Sequence, residues 1–239
     1  MPNPLIEIQH LSKRYGSIWA LRDITLNVEA GTRLTLLGPN GSGKTTLIRI
    51  LARLSSPSSG SLKMFGSDLH TQGDEVRKQI GVVSHTSFLY PALTAVENLT
   101  FYAGMFGVSQ TTETIESLLY EVGLLERQHD LVRTFSRGMQ QRLAIARAIL
   151  HQPTLLLFDE PYSGLDGAAV NLLQHILTNI HHEGRTIILT THNYRSGLDF
   201  CDQAAVLVSG RLVYYGSPAH IRIAAKNPDF PETPGDVHP

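Results

Sequence analysis

Eight consecutive residues, Gly38-Pro39-Asn40-Gly41-Ser42-Gly43-Lys44-Thr45, fit the pattern G-x-x-x-x-G-K-[ST] in full, and Thr46 follows them. The glycines let backbone N–H groups turn inward and approach phosphate oxygens closely. The apolar run Arg33–Leu37 in front reads as a strand, and residues 44–54 behind it read as a helix. A helix N-terminus then adds partial positive charge at the same point. Lys44 is placed to reach the β- and γ-phosphates as a point charge, and the Thr45 hydroxyl to ligate Mg²⁺. With pattern and context both met, a chance glycine-rich turn is the poorer explanation.

Such a site needs a carboxylate from a second strand to hold the metal. The run 155–158, Leu-Leu-Leu-Phe, ends in Asp159 and Glu160. Ligands of open α/β sheets gather at the C-terminal strand edge, which is where this pair falls. Asp159 is the candidate metal-side carboxylate, usually acting through water. Glu160 is the candidate to orient and polarise the attacking water. Standing alone, an Asp-Glu pair at a strand end is as easily solvated loop charge; beside the phosphate cradle it reads as part of the site.

These groups need a scaffold, and the hydrophobic pattern supplies one. Alternating Ile6 and Ile8, then Ile24, Leu26 and Val28, read as antiparallel strands. Further strands are predicted at 81–83, 155–158, 186–190 and Gln203–Val208, with helices near 136–150, 168–182 and 194–201. Between 95 and 126 the pattern has helical periods. The expected fold is α/β: a phosphate-binding core with a parallel sheet, an N-terminal antiparallel β subdomain, and an α-helical subdomain inserted at about 90–150. Residues 1–226 are expected to form one domain, with a proline-rich, extended tail at 227–239.

Composition narrows the class. Hydrophobic residues make up 42% and charged residues 17%, with a net charge of -1 and no long basic run, so no nucleic-acid partner is expected. The single cysteine, Cys201, cannot form an intrachain disulfide and reads as an inert core thiol. No stretch approaches the roughly 20 apolar residues of a membrane helix, and residues 1–10 lack the features of a signal peptide. A cytosolic protein, held at a membrane only by partners, is expected.

Phe135-Ser136-Arg137-Gly138-Met139-Gln140-Gln141-Arg142 resembles the signature of ABC ATP-binding subunits, commonly written LSGGQ and continuing x-Q-R. Arg137 stands where the common form has glycine, and Phe135 and Met139 also differ. Ser136 and Gly138 keep the essential pair at a helix start, where hydroxyl and N–H groups can face a phosphate. Ser163-Gly164-Leu165-Asp166 resembles the family's D-loop, and Thr190-Thr191-His192 its switch histidine, which senses the γ-phosphate. Tyr15, in Lys13-Arg14-Tyr15-Gly16, resembles the aromatic that stacks on adenine. After Val82-Val83-Ser84, His85 occupies the place of the family's Q-loop glutamine, in a register fixed by Leu93-Thr94-Ala95-Val96-Glu97-Asn98-Leu99. His85 could take over part of the glutamine's contact with metal and water, or simply bond to backbone.

The resemblance implies a motor subunit at the cytoplasmic face of a membrane that binds and hydrolyses ATP with Mg²⁺. It implies a two-fold homodimer in which Ser136, Gly138 and Asp166 help complete sites between copies. It also implies separately encoded integral membrane permease subunits, docked near residues 86–106. For cargo, His85 and the 93–99 stretch are similar to haem-exporter ATP-binding subunits of bacterial cytochrome c maturation. Haem export is the first reading; Arg137 and Met139 also suit the alternative, ABC-2-type exporters of drugs, lipids or polysaccharides, and an ATPase of iron–sulfur cluster assembly comes third.

Overall fold

The computed structural model describes residues 4–68, 73–84, 86–108 and 112–224. His85 and the tail 227–239 lie outside the described residues. In chain order the elements are β1 Ile6–Tyr15, β2 Ile18–Val28, β3 Arg33–Leu37, α1 Lys44–Leu51, β4 Ser59–Met64, β5 Ser67–Asp68, α2 Gly73–Lys78 and β6 Ile80–Val83. They continue with α3 Ala95–Phe106, α4 Thr112–Glu121, α5 Arg137–Ile149, β7 Leu155–Asp159, α6 Gly167–His182, β8 Thr186–Thr191, α7 Tyr194–Phe200, β9 Gln203–Val208, β10 Arg211–Gly216 and α8 Pro218–Ala224.

Two sheets result. The first is antiparallel, in the order β2-β1-β4-β5; the second has the order β10-β9-β3-β8-β7-β6 and is parallel from β9 to β6. Strands covered on both faces read as mostly apolar runs, and every residue of β7 and β8 is buried, the polar ones at the strand ends. β1 and β2 alternate instead, sending Ile6, Ile8, Ile24, Leu26 and Val28 into a core shared with α1 and the inner strands. A second core gathers α3, α4, α5 and α6 against the other face, through Leu99, Leu119, Leu143, Ile145 and Leu177. The expected α/β class, antiparallel subdomain and helical segment are all present.

Local chemistry sets the element ends. Thr94 caps α3 in a reciprocal box: its hydroxyl accepts from Glu97 N–H at 3.2 Å while Glu97 accepts from Thr94 N–H at 2.8 Å. The hydrogen bond from Thr94 N–H, with the Thr94 hydroxyl second, holds the Glu97 carboxyl below its usual range. Helix α1 ends at Leu51, short of the expected 54, because Arg53 turns into the left-handed region with φ 59°.

Strands β4, β5 and β10 and helix α2 were not expected. β10 begins after Ser209-Gly210, both at positive φ, the two-residue turn that matches strand twist. That turn is tied down. Gly210 N–H donates to Ser42 O at 3.0 Å, and Arg22 N–H donates to Gly210 O at 2.7 Å.

Candidate nucleotide site

The site is built where β3, β8 and β7 end side by side. β3 runs into Gly38–Gly43, and β7 delivers Asp159 and Glu160. β8 lies between them and delivers Thr190, Thr191 and then His192. All three strands are parallel, so the residues that follow them share one edge.

The loop glycines are dictated by space. A β-carbon at Gly38 would fall 2.2 Å from Leu207 O, and one at Gly43 only 2.5 Å from Ala20 O. Both also have positive φ, 150° and 106°. The loop curls onto itself, with Ser42 N–H donating to Pro39 O at 3.2 Å. A cavity of about 190 Å³ follows, lined by Ala20, Asn40 through Thr46, and Glu160.

Lys44 is buried and donates to Gly38 O at 2.7 Å and Pro39 O at 3.1 Å, with Glu160 Oε1 at 3.5 Å. An ammonium so screened from water is strongly drawn to any anion entering the cradle. Glu160 Oε2 lies 3.0 Å from His192 Nδ1, and its own N–H donates to Thr190 Oγ1 at 2.9 Å. Glu160 itself has φ 53°, a left-handed conformation that costs strain in a non-glycine residue.

Asp159 is buried, and its Oδ1 accepts from Thr45 Oγ1 at 3.0 Å and from Thr190 Oγ1 at 2.7 Å. A hydroxyl and a carboxylate in contact, beside a phosphate cradle, are the hard oxygens Mg²⁺ takes when it keeps waters and phosphate ligands. The donor set fits that ion. The buried Ser42 Oγ, with no hydrogen-bond partner among the described residues, adds an unused group to the same loop.

The candidates from sequence divide accordingly. Gly38, Pro39, Asn40, Gly41, Ser42, Gly43, Lys44, Thr45, Thr46, Asp159, Glu160 and His192 come together. Tyr15 stands at the end of β1, half exposed, with Lys13 Nζ 4.9 Å from its ring centroid, and does not line the cavity. Ser136 caps α5, accepting from Met139 N–H at 3.3 Å, and Asp166 caps α6, accepting from Ala169 N–H at 2.8 Å. Gly138 faces Leu165 and Ala169. A second cavity of about 350 Å³ joins Ser84, Ser87, Arg137, Gln140, Gln141 and Ser163 to Asp159 and Glu160. Thr190 was missed, although a hydroxyl closing an apolar strand next to a histidine was a usable sign. Cys201 is buried, and burial pushes its thiol up, as an inert core residue requires.

Comparison with known proteins agrees with this geometry. The family model described as ABC transporter matches residues 21–163. An uncharacterised ABC transporter ATP-binding protein of Bacillus subtilis is 39% identical over 213 residues, 89% of this chain and 69% of its own length. A Nod factor export ATP-binding protein I of Cupriavidus pinatubonensis is 35% identical over 234 residues, covering 97% and 72%. The solved cbiO1 of Clostridium perfringens, part of an ABC transporter complex, superposes with a TM-score of 0.83 at 25% identity, covering 94% and 92%. A dimeric ATP-binding cassette in a post-hydrolysis state with ADP and Pi superposes at 0.80 with 25% identity, covering 89% and 98%. Among the described residues no helix is long and apolar enough to cross a membrane. The chain belongs to the ABC transporter family, as an ATP-binding subunit that hydrolyses ATP.

Proposed function

We propose that two copies of this chain close on ATP to drive separately encoded integral membrane subunits from the cytoplasmic face. The observation that carries this is the convergence of Lys44 and Glu160 on one cavity, with His192 against Glu160 and with Thr45 and Asp159 in contact beside it. Lys44 and the loop N–H groups hold the β- and γ-phosphates. When bound at Thr45 and Asp159, Mg²⁺ neutralises charge on those phosphates. Glu160 accepts a hydrogen bond from a water, whose oxygen bonds to the γ-phosphorus as the bond to the β–γ bridging oxygen breaks; ADP leaves and the water's proton passes on to the phosphate. His192, across from Glu160, orients that carboxylate and meets the γ-phosphate. Tyr15 supplies a π-face to adenine. Ser136, Gly138 and Asp166 act in the site of the other copy, an arrangement supported by the exposed N-terminus of α5. His85 serves at the γ-phosphate in place of glutamine, and residues 1–226 act as one unit.

A mixture of Lys44→Ala and Ser136→Arg protomers tests the shared sites. A heterodimer then has one intact site and one doubly damaged site. Each variant alone should be nearly inactive, while the mixture should recover up to about half the parent rate per heterodimer. Verified heterodimers with no more activity than either variant would end the composite-site reading.

The cargo reading is narrower. Haem export rests on His85 and residues 93–99, none of which meets cargo. The named export relative, for Nod factor, supports the exporter alternative instead, as do Arg137 and Met139. Another relative, a Fe(3+) ions import protein of Mesorhizobium japonicum at 37% identity, works in the opposite direction. We take export of a drug, lipid or polysaccharide as the reading to test. A Glu160→Gln strain should then keep covalent haem on its c-type cytochromes, as read by haem-stained gels. Loss of that haem with b-type cytochromes intact would restore the haem reading.

A further inference from the structure

Arg137 occupies a position the motif chemistry does not explain. It is the first residue of α5, at the positive end of the helix dipole, where a cation is disfavoured. It is exposed, and among the described residues no hydrogen bond or ion pair engages its guanidinium. What it does touch is a glycine. A β-carbon at Gly164 would fall 2.6 Å from Arg137 Nη1, 2.9 Å from Cζ and 3.2 Å from Nε, so the planar group lies against that Cα. Gly164 also has φ 72°, which gives glycine a second reason to be there.

Gly164 belongs to the turns that leave the active carboxylate. Ser163 N–H donates to Glu160 O at 3.1 Å, and Leu165 N–H donates to Tyr162 O at 3.3 Å. Glu160 sits in its left-handed conformation at the head of these turns. Thr190 holds the near side of Glu160 through the 2.9 Å bond to its N–H. The Glu160 carboxylate meets His192 and Lys44, while on its C-terminal side the Glu160 backbone runs straight into the turn, and Arg137 lies on that turn from outside. Arg137, Ser163 and Glu160 line the same 350 Å³ cavity.

We propose that Arg137 is a positioning residue for Glu160, acting through the turn at Gly164. This rests on Glu160 being the residue that activates water. A strained backbone persists only where its surroundings over-determine it, and small displacements of a catalytic group cost rate steeply. Removing the guanidinium frees the turn to relax and lets Glu160 drift from its aim. The fault then lies in the chemical step, not in nucleotide binding. A lysine cannot substitute, since its ammonium has no flat face to lay on the glycine.

The test uses the full-length chain with its co-purified membrane subunits. Arg137→Ala and Arg137→Lys should each lower kcat about 10-fold, with KM for ATP within about twofold and Tm unchanged or slightly raised. In a Glu160→Gln background, Arg137→Ala should bring no further loss in the residual single-turnover rate, since its effect passes through Glu160. A parent-level kcat in Arg137→Ala, with Glu160→Gln inactive, would overturn this proposal and leave the site reading standing. A raised KM restored by lysine would show a charge acting on phosphate instead, and also overturn it. The same loss in both backgrounds, or a Tm that falls along with kcat, would make the role general rather than directed at Glu160. If Glu160→Gln itself turns over at the parent rate, the site reading fails first.

Discussion

Glu160→Gln should cut ATP turnover by a hundredfold or more while leaving ATP bound. General-base action contributes about 10²–10⁴ in rate, and the amide cannot accept the proton of the attacking water. The amide keeps the shape of the carboxyl, and the backbone bond to Thr190 is untouched. It also removes negative charge 3.5 Å from Lys44, so phosphate is held at least as firmly. With ATP retained and not consumed, the two-copy closed state should accumulate. Steady-state hydrolysis with the membrane partners present, and sedimentation with ATP, read both effects. Hydrolysis at the parent rate would remove Glu160 from its role.

Lys44→Ala should do the opposite, weakening ATP binding by about 10–100-fold. A hydrogen bond to a charged group contributes about 1.5–3 kcal/mol, and each 1.4 kcal/mol is tenfold in affinity. Lys44 is 5% exposed, so little water is at hand to take its place. The substitution also strips Gly38 O of its Lys44 donor and leaves Pro39 O with the Ser42 N–H alone. Lys44→Met retains the apolar stem and should lose binding to a similar extent with less loss of stability, which separates charge from packing. Equilibrium binding of a fluorescent ATP analogue measures both variants. Affinity within threefold of the parent would show that the ammonium is not aimed at phosphate.

Much of this site was legible because its chemistry is contiguous. A cradle for phosphate must follow a strand and open a helix, so Gly38 to Thr45 carries its own context. Asp159 and Glu160 announce themselves by ending an apolar run. Thr190 was harder to see, because its importance comes from β8 lying between β3 and β7, a neighbour relation that chain order conceals. The same holds for Arg137. In sequence it is an odd residue in a motif; in space it is a flat group laid on Gly164. β4 escaped notice because Ser59-Gly60-Ser61 lacks the expected β-formers, and only Leu62 and Met64 of its strand point into the core. The helix end at Arg53 depended on one left-handed residue that no propensity scale favours.

The turn between β9 and β10 has a wider consequence. Hairpin tips on protein surfaces are ordinarily where chains accept extra residues, since lengthening a loop adds little entropy. Here the tip is bonded to Ser42 of the phosphate loop and to Arg22 of β2, and a β-carbon at Gly210 would strike Ala20 O at 2.8 Å. Three stretches far apart in the chain thus meet at one seam behind the nucleotide. Inserted tags, reporter domains or new chain ends belong elsewhere on this scaffold, because a longer tip would loosen the floor on which the phosphates rest.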